Sequence, residues 1–236
     1  MFRKFLAKAT DTIAYPIGSI MNRVAMRQAK DIPLERHKRA LTTTVDFVQQ
    51  NMRFVKPSWT KFGLLTASFQ QADLSESRLI CEFGVFTGST INHIAAMTPK
   101  TAFGFDSFEG LPEDWQAMGA RKGHFAVKKL PEVRQNVTLV KGWFDQTLPV
   151  FLEQNKGMIG FLHVDCDLYS STKTVLGLLQ PRLAAGAVIV FDEYFNHPEW
   201  EQGEHKAFNE FLARTGLSPE FIGYNCHGEQ VAVKLK

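Results

Sequence analysis

The feature that most limits the fold is an alternation of short apolar runs with helical stretches from Arg78 onward. Each run has the length of a buried strand, and such alternation predicts a mostly parallel sheet with helices on both faces. The predicted strands are residues 79–84, 101–106, 137–141, 159–165 and 187–192. The predicted helices are residues 89–97, 146–154, 171–180 and 204–214, with a broken region at 113–135.

The C-terminal end has a different pattern. Two further apolar runs, residues 220–224 and 230–234, flank a turn around Cys226 and Gly228. A turn between two strands predicts a hairpin, so we expect an antiparallel edge strand here. The full prediction is a seven-stranded, mostly parallel α/β sheet over residues 76–236, preceded by a helical N-terminal extension over residues 1–75.

Charge sets the N-terminal extension apart. The whole chain has a net charge of +3, whereas residues 1–41 hold nine Lys or Arg against three Asp or Glu. Apolar residues at helical spacing in residues 2–13 and 17–24 predict two short amphipathic helices. We expect the extension to serve as a lid, an acceptor-binding element or a dimerisation arm, with docking on an anionic membrane surface as the alternative.

Composition argues against several classes of protein. The longest apolar stretch, residues 184–191, is far shorter than the roughly 20 residues of a membrane-spanning helix. The small net charge gives no support to a nucleic-acid partner. The three cysteines lack a CxxC pair, and the N-terminus lacks the apolar core of a secretory signal. We therefore expect a cytoplasmic protein without disulfides.

Two features after the first two strands suggest a nucleoside-containing ligand. The first strand leads through Gly84 and Gly88 into a helix that begins near Ser89, so backbone N–H groups become available to an anionic group. The second strand ends at Asp106, whose carboxylate can accept hydrogen bonds from both ribose hydroxyls. The alternative is a plain connecting turn and an Asp that caps the next helix.

Four carboxylates follow the fourth and fifth strands. Asp165 and Asp167 alternate along an extended chain and are therefore expected to point to one side. Asp192 and Glu193 end the neighbouring strand. Like charges this close are unfavourable without compensation, and carboxylate oxygens suit a hard divalent cation. The sequence thus predicts a divalent-metal site, with a helix cap by Asp167 and otherwise solvated carboxylates as the alternative.

Together these motifs resemble the macrocin O-methyltransferase-like family of class I S-adenosylmethionine-dependent methyltransferases, over roughly residues 78–234. The runs that carry the resemblance are EFGVFTGST, GFDSFEGLPEDW, KGWFDQTLP, HVDCDLYSSTKTVLGLLQPRLAAGAVIVFDEYF and GEHKAF. Several motifs in one order are specific, whereas any single one is weak. The resemblance implies a Rossmann-like fold and magnesium-dependent methylation of sugar hydroxyls in glycosylated natural products.

The resemblance also implies roles for individual residues. The cofactor-binding positions are Glu82, Gly84, Val85, Phe86, Gly88, Ser89, Asp106, Ser107, Phe108, Gly142, Trp143 and Asp165. The metal-ligand positions are Asp165, Asp192 and Glu193, and Asp167 is the position of the general base. The chain departs from the family at Ser89, where a second glycine is common, and at Glu193, where Asp is common.

The expected function is magnesium-dependent O-methylation of a sugar or a glycosylated metabolite by a dimeric enzyme. Two alternatives stay open: a catechol-type enzyme that methylates a phenolic diol, and a non-catalytic nucleoside-binding module with a basic docking arm. A nicotinamide dehydrogenase fits less well because its glycine fingerprint is incomplete.

Further expectations concern the surroundings of the site. Residues 113–130 are expected to form a lid. An acceptor wall is expected to include Tyr194, Phe195 and Trp200. We expect His163 to be a satisfied core residue and His197 to be a solvated loop residue. The alternative for His197 is a place in the acceptor pocket or a role as an alternative base.

Overall fold

The computed structural model describes residues 20–236. The amphipathic helix predicted over residues 2–13 lies outside the described residues. The chain divides into two compact units, one that ends at Arg39 and one that covers Ala40–Lys236. In the first unit, residues 20–28 are helical and overlap the second predicted amphipathic run. A functional boundary between residues 75 and 76 stays a prediction.

Helices and strands alternate along the chain as predicted. The helices are α1 (residues 20–28), α2 (Ile32–Asn51), α3 (Lys61–Phe69), α4 (Ser89–Ala96), α5 (Phe144–Gln154), α6 (Tyr169–Leu179) and α7 (Glu204–Thr215). The strands are β1 (Pro57–Ser58), β2 (Leu79–Phe83), β3 (Ala102–Asp106), β4 (Val137–Lys141), β5 (Ile159–Val164), β6 (Val188–Phe191), β7 (Pro219–Asn225) and β8 (Val231–Leu235). Residues 107–136 are irregular except for an isolated bridge between Trp115 and Ala120, which matches the predicted broken region.

All strands join one sheet in the order β1-β7-β8-β6-β5-β2-β3-β4. β8 runs antiparallel to β6 and β7, and the remaining pairs are parallel. This confirms the predicted α/β class, its seven strands and its antiparallel hairpin. The eighth strand, β1, is an addition of two residues paired with β7. So short a strand has no periodicity that a sequence can reveal.

The sheet is covered on both faces. On one face Phe83, Leu162 and Phe191 belong to a buried cluster that also includes side chains of α5, α6 and α7. On the other face Ile80 and Phe161 belong to a second buried cluster, with side chains of α3 and α4. Along β6, for example, Val188 and Val190 belong to the second cluster and Ile189 and Phe191 to the first, as the two-residue period of a strand requires. The carboxyl edge of the sheet is the part left for a ligand.

Among the residues that the structure describes, no helix has the length and apolar character needed to cross a membrane.

Candidate active site

A cavity of about 360 Å³ opens at the carboxyl ends of β2, β3, β5 and β6. Its lining contains eight of the predicted cofactor-binding residues: Gly84, Val85, Phe86, Ser89, Asp106, Ser107, Trp143 and Asp165. The other four predicted residues are outside the lining: Gly88, Phe108 and Gly142 are each next to a lining residue in the chain, and Glu82 is two residues before Gly84. The predicted base and metal ligands Asp167, Asp192 and Glu193 line the same cavity. One cavity therefore contains both halves of the predicted site.

Gly84 brings the loop after β2 against the chain that follows β5. Its φ is +91°, and a Cβ built on it would lie 1.6 Å from the carbonyl oxygen of Asp165. Both the left-handed conformation and the close approach require glycine. The glycine loop and the carboxylate cluster are thus in direct backbone contact.

Asp106 braces the loops on either side of it. Its Oδ2 accepts hydrogen bonds from the backbone N–H groups of Val85 and Phe86, each at 2.8 Å, and its Oδ1 accepts one from Phe108 at 2.6 Å. The chain after Asp106 is irregular, so this carboxylate does not cap a helix, the alternative considered from the sequence. Asp106 holds the pocket wall in shape, and ribose binding by its remaining lone pairs stays a prediction.

A buried hydrogen-bond chain lies beneath the cavity. His163 Nδ1 is 2.9 Å from Glu82 Oε2, and His163 Nε2 is 3.3 Å from Asp192 Oδ1. Burial opposes protonation of His163, but its hydrogen bonds to Asp192 and Glu82 outweigh burial and raise its pKa to about 10. His163 is a satisfied core residue, as predicted, and it also fixes the orientation of Asp192.

The four predicted carboxylates meet at the cavity. One oxygen each of Asp165, Asp167 and Glu193 lies within 4.8 Å of the others, and Asp165 forms a similar group with Asp192 and His163. The predicted extended alternation is wrong, because β5 ends at Val164 and Asp167 has a φ of +63°. This left-handed turn is what directs Asp167 into the cavity beside Asp165. The proposed helix cap is also wrong, since Leu168 is the N-cap of α6.

The crowding of these carboxylates is electrostatically costly. Burial, followed by the charge of Asp192, raises the pKa of Asp165 to about 7. Burial and Asp165 together raise the pKa of Asp167 to about 8. The Oε2 atom of Glu193 is buried without a hydrogen-bond partner among the described residues. An all-oxygen donor set with an unpartnered buried oxygen fits a hard divalent cation such as Mg²⁺.

Sequence reasoning missed a lysine in this cluster. Lys61, the first residue of α3, places its Nζ 2.8 Å from Asp192 Oδ2 and 3.2 Å from Asp165 Oδ2. Burial opposes its charge, but Asp165 and Asp192 outweigh burial and raise the pKa of the Lys61 ammonium above its ordinary value. The contact joins residues 104 and 131 positions apart in the chain, so no local pattern signals it.

The mouth of the cavity is aromatic. Phe62, Phe86 and Phe125 line it and remain partly exposed. The rings of Phe86 and Phe125 lie 5.4 Å apart, and their φ angles of +47° and +67° are unusual for bulky residues. Strained backbone and exposed rings both cost stability, which favours a binding role for this pair.

The acceptor wall predicted after β6 is wrong. Tyr194, Phe195 and Trp200 are almost fully buried in the core, where Phe47 packs against Tyr194 and Trp200. His197 is 1% exposed rather than solvated, and its ring nitrogens lie near the carbonyl oxygens of Pro198 and Glu193. The chain after β6 folds back as core instead of forming an open loop.

Comparison with known proteins agrees with this geometry. Residues 81–194 match a family model described as a methyltransferase domain. Two solved structures share the fold. The calicheamicin methyltransferase CalS11 has a TM-score of 0.61 and 24% sequence identity, and the match covers 90% of each chain. The O-methyltransferase NovP has a TM-score of 0.54 and 20% sequence identity, and the match covers 73% of this chain and 76% of that one. These two methyltransferase structures therefore share the fold of this chain.

Two curated relatives point the same way. One is the 8-demethyl-8-(2,3-dimethoxy-alpha-L-rhamnosyl)-tetracenomycin-C 4'-O-methyltransferase of Streptomyces olivaceus, 31% identical over 139 residues, 49% of this chain and 52% of that protein. The other is the demethyldecarbamoylnovobiocin O-methyltransferase of Streptomyces niveus, 28% identical over 142 residues, 52% of this chain and 51% of that protein. The chain spans about half the length of these relatives. Over its central part, residues 81–194, the chain is therefore similar to methyltransferases.

Proposed function

We propose that this chain is an S-adenosylmethionine-dependent O-methyltransferase whose acceptor is a hydroxyl of a sugar or a glycosylated metabolite. The observation that carries the proposal is one cavity lined by the glycine loop on one side and the carboxylate cluster on the other. The two curated relatives, both named as O-methyltransferases, support the same reaction. A cytoplasmic dimer remains part of the proposal.

The cofactor side of the cavity begins at the glycine loop. Gly84 lets the backbone pass close to a ligand, and Ser89 begins α4 at the cavity wall. Asp106 and Trp143 line the cavity from the next two strand ends. S-adenosylmethionine, when bound, supplies a sulfonium methyl group that is already activated for transfer. The chain mainly has to position the acceptor and receive its proton.

Asp167 is the proposed general base. It lies in the cavity, and its carboxylate has a pKa of about 8, high enough to hold a proton near neutral pH. Bound S-adenosylmethionine would supply the methyl group to the acceptor oxygen and leave as S-adenosylhomocysteine, and Asp167 would take the proton of the hydroxyl. Burial excludes the water that would compete for this proton.

The metal ligands are proposed from the carboxylate cluster. Two of the predicted ligands, Asp165 and Glu193, lie in one group of carboxylates with Asp167. The third, Asp192, lies in a second group with Asp165 and His163. A divalent cation bound there would lower the pKa of the acceptor hydroxyl and orient it. The residues fit such an ion because Glu193 has a buried oxygen without a partner in the described part of the chain.

Removal of divalent cations should lower turnover by at least about 10²-fold, because the acceptor hydroxyl would lose several kcal/mol of electrostatic assistance. Methyl transfer would be assayed after chelation with EDTA and dialysis, and again after addition of Mg²⁺. Full recovery with Mg²⁺ is expected. Unchanged turnover in the metal-stripped enzyme would contradict the metal part of the proposal.

Acceptor binding is proposed at the aromatic mouth. A sugar presents C–H groups to a ring face, and an aglycone presents a flat apolar surface, so Phe86 and Phe125 suit a glycosylated acceptor. The same rings would accept a phenolic diol, which keeps the catechol-type reaction as the second candidate. A panel of free sugars, glycosides and catechols, assayed with one methyl donor, separates the two.

Replacing Phe125 with Ala should raise the acceptor KM by about three- to tenfold while changing kcat little, because ring packing of this kind contributes about 0.5–1.5 kcal/mol. The matched control is Phe54→Ala, which removes a ring that is 96% exposed and outside the cavity lining. Equal KM values for the two variants would place the acceptor elsewhere.

A further inference from the structure

We infer that Lys61 is a built-in counter-cation of the carboxylate cluster, which competes with a divalent cation for Asp192 and thereby sets the metal affinity of the site. The inference deepens the proposed function and rests on it for the identity of the metal. Lys61 Nζ contacts Asp192 Oδ2 at 2.8 Å and Asp165 Oδ2 at 3.2 Å. The ammonium therefore binds the two carboxylates that form a possible ligand group with His163.

Both oxygens of Asp192 are already engaged. Oδ1 faces His163 Nε2 at 3.3 Å, while Oδ2 accepts hydrogen bonds from Lys61 at 2.8 Å and from Gln230 Nε2 at 3.2 Å. His163 is fully buried and its Nδ1 also contacts Glu82 Oε2, so its side chain cannot move away from Asp192. A cation that binds Asp192 through Oδ2 must therefore displace Lys61 or Gln230, and Gln230 is buried and also hydrogen-bonded to Asn225.

Lys61 is the partner that is able to move. Its side chain is 29% exposed, in contrast to His163, and its flexible four-carbon stem lines the open cavity. Thr60 caps α3 by accepting a hydrogen bond from Gly63 N–H, so the helix holds the backbone of Lys61 while the ammonium swings. The first turn of α3 thus delivers a positive charge that an incoming metal must replace.

The other carboxylate oxygens of the cluster would hold a divalent cation close to Lys61. Glu193 Oε2 is buried without a partner in the described structure, and one oxygen of the Glu193 carboxylate lies within 4.8 Å of an oxygen of Asp165 and one of Asp167. A divalent ion held by this group would lie close to the Lys61 ammonium, and two positive charges at such distances repel strongly in a partly buried site. Removal of the Lys61 charge should therefore strengthen metal binding.

The test is a titration of the full chain with Mn²⁺, in which the electron paramagnetic resonance signal of the free ion is measured. Lys61→Met should bind Mn²⁺ at least about tenfold more tightly than the unaltered chain. Lys61→Arg, which keeps the charge, should restore weak binding. The matched control Lys56→Met, at an exposed lysine five residues earlier, should leave the affinity within about twofold.

An equal or weaker Mn²⁺ affinity in Lys61→Met, or no Mn²⁺ binding by any form, would overturn the inference. If Lys61→Met does not fold, Lys61→Gln, which keeps a hydrogen-bond donor for Asp192 and lacks the charge, gives the same readout. Binding of S-adenosylhomocysteine is measured in parallel for each form. If Lys61→Met binds Mn²⁺ tenfold more tightly than the unaltered chain but neither form binds S-adenosylhomocysteine, the proposed function alone is refuted. If both forms bind S-adenosylhomocysteine and their Mn²⁺ affinities are equal, this inference alone is refuted.

Discussion

Replacing Asp167 with Asn should lower kcat for methyl transfer by about 10²- to 10⁴-fold, the usual contribution of a general base. The side chain keeps its size, but the amide does not accept the proton of the acceptor hydroxyl. Affinity for S-adenosylhomocysteine should stay within about threefold, because Asp167 belongs to the carboxylate side of the cavity rather than to the glycine loop. Single-turnover kinetics with a saturating acceptor, together with calorimetric titration of S-adenosylhomocysteine, measures both quantities.

The matched control for this variant is Asp145→Asn. Asp145 is an exposed acid in the first turn of α5, so its loss should leave turnover nearly unchanged. Near-normal turnover by Asp167→Asn would remove this residue from the chemistry. It would also favour the non-catalytic nucleoside-binding alternative if no acceptor in the panel were methylated.

Replacing Gly84 with Ala should destabilise the fold by about 2–5 kcal/mol, because a side chain meets both a left-handed backbone and an occupied space. The added Cβ would lie 1.6 Å from a backbone oxygen of Asp165, so the loop or the carboxylate segment must shift. S-adenosylhomocysteine binding should fall with it, since the loop forms the cofactor wall. Urea unfolding followed by circular dichroism measures the change in the free energy of unfolding.

Gly177→Ala is the matched control for the loop glycine. Gly177 lies within α6, and apart from its chain neighbours and the backbone of its own helix, no heavy atom of the described residues lies within 4 Å of a Cβ built there. The substitution should leave stability unchanged or raise it by about 0.5–1 kcal/mol, because alanine favours a helix interior. Equal stabilities of the Gly84→Ala and Gly177→Ala variants would show that the loop is not pressed against Asp165.

Most of the fold was predictable because the central strands are buried on both faces. β6 is apolar throughout, and β5 is apolar except for Gly160 and His163, so the limits of both strands fall within a residue or two of the prediction. β1 was not predictable, since it is two residues long and forms only by pairing with β7. The burial of Tyr194 and Trp200 also depends on a distant partner, Phe47 of α2.

The site was predictable only as far as strand ends determine it. Asp106, Asp165 and Asp192 lie at one edge because parallel strands end together. The left-handed turn at Asp167 was not predictable, because a sequence pattern does not report the sign of φ at a single aspartate. Lys61 was missed for a different reason: it reaches the cluster from a helix whose position is set by packing against the sheet.

The most direct test of the central claim is calorimetric titration of the purified, metal-stripped protein with S-adenosylhomocysteine, with NAD as the control ligand. The account predicts saturable binding of one S-adenosylhomocysteine per chain and no binding of NAD. Absence of S-adenosylhomocysteine binding, or equal binding of NAD, would contradict the assignment of this cavity to methyl transfer.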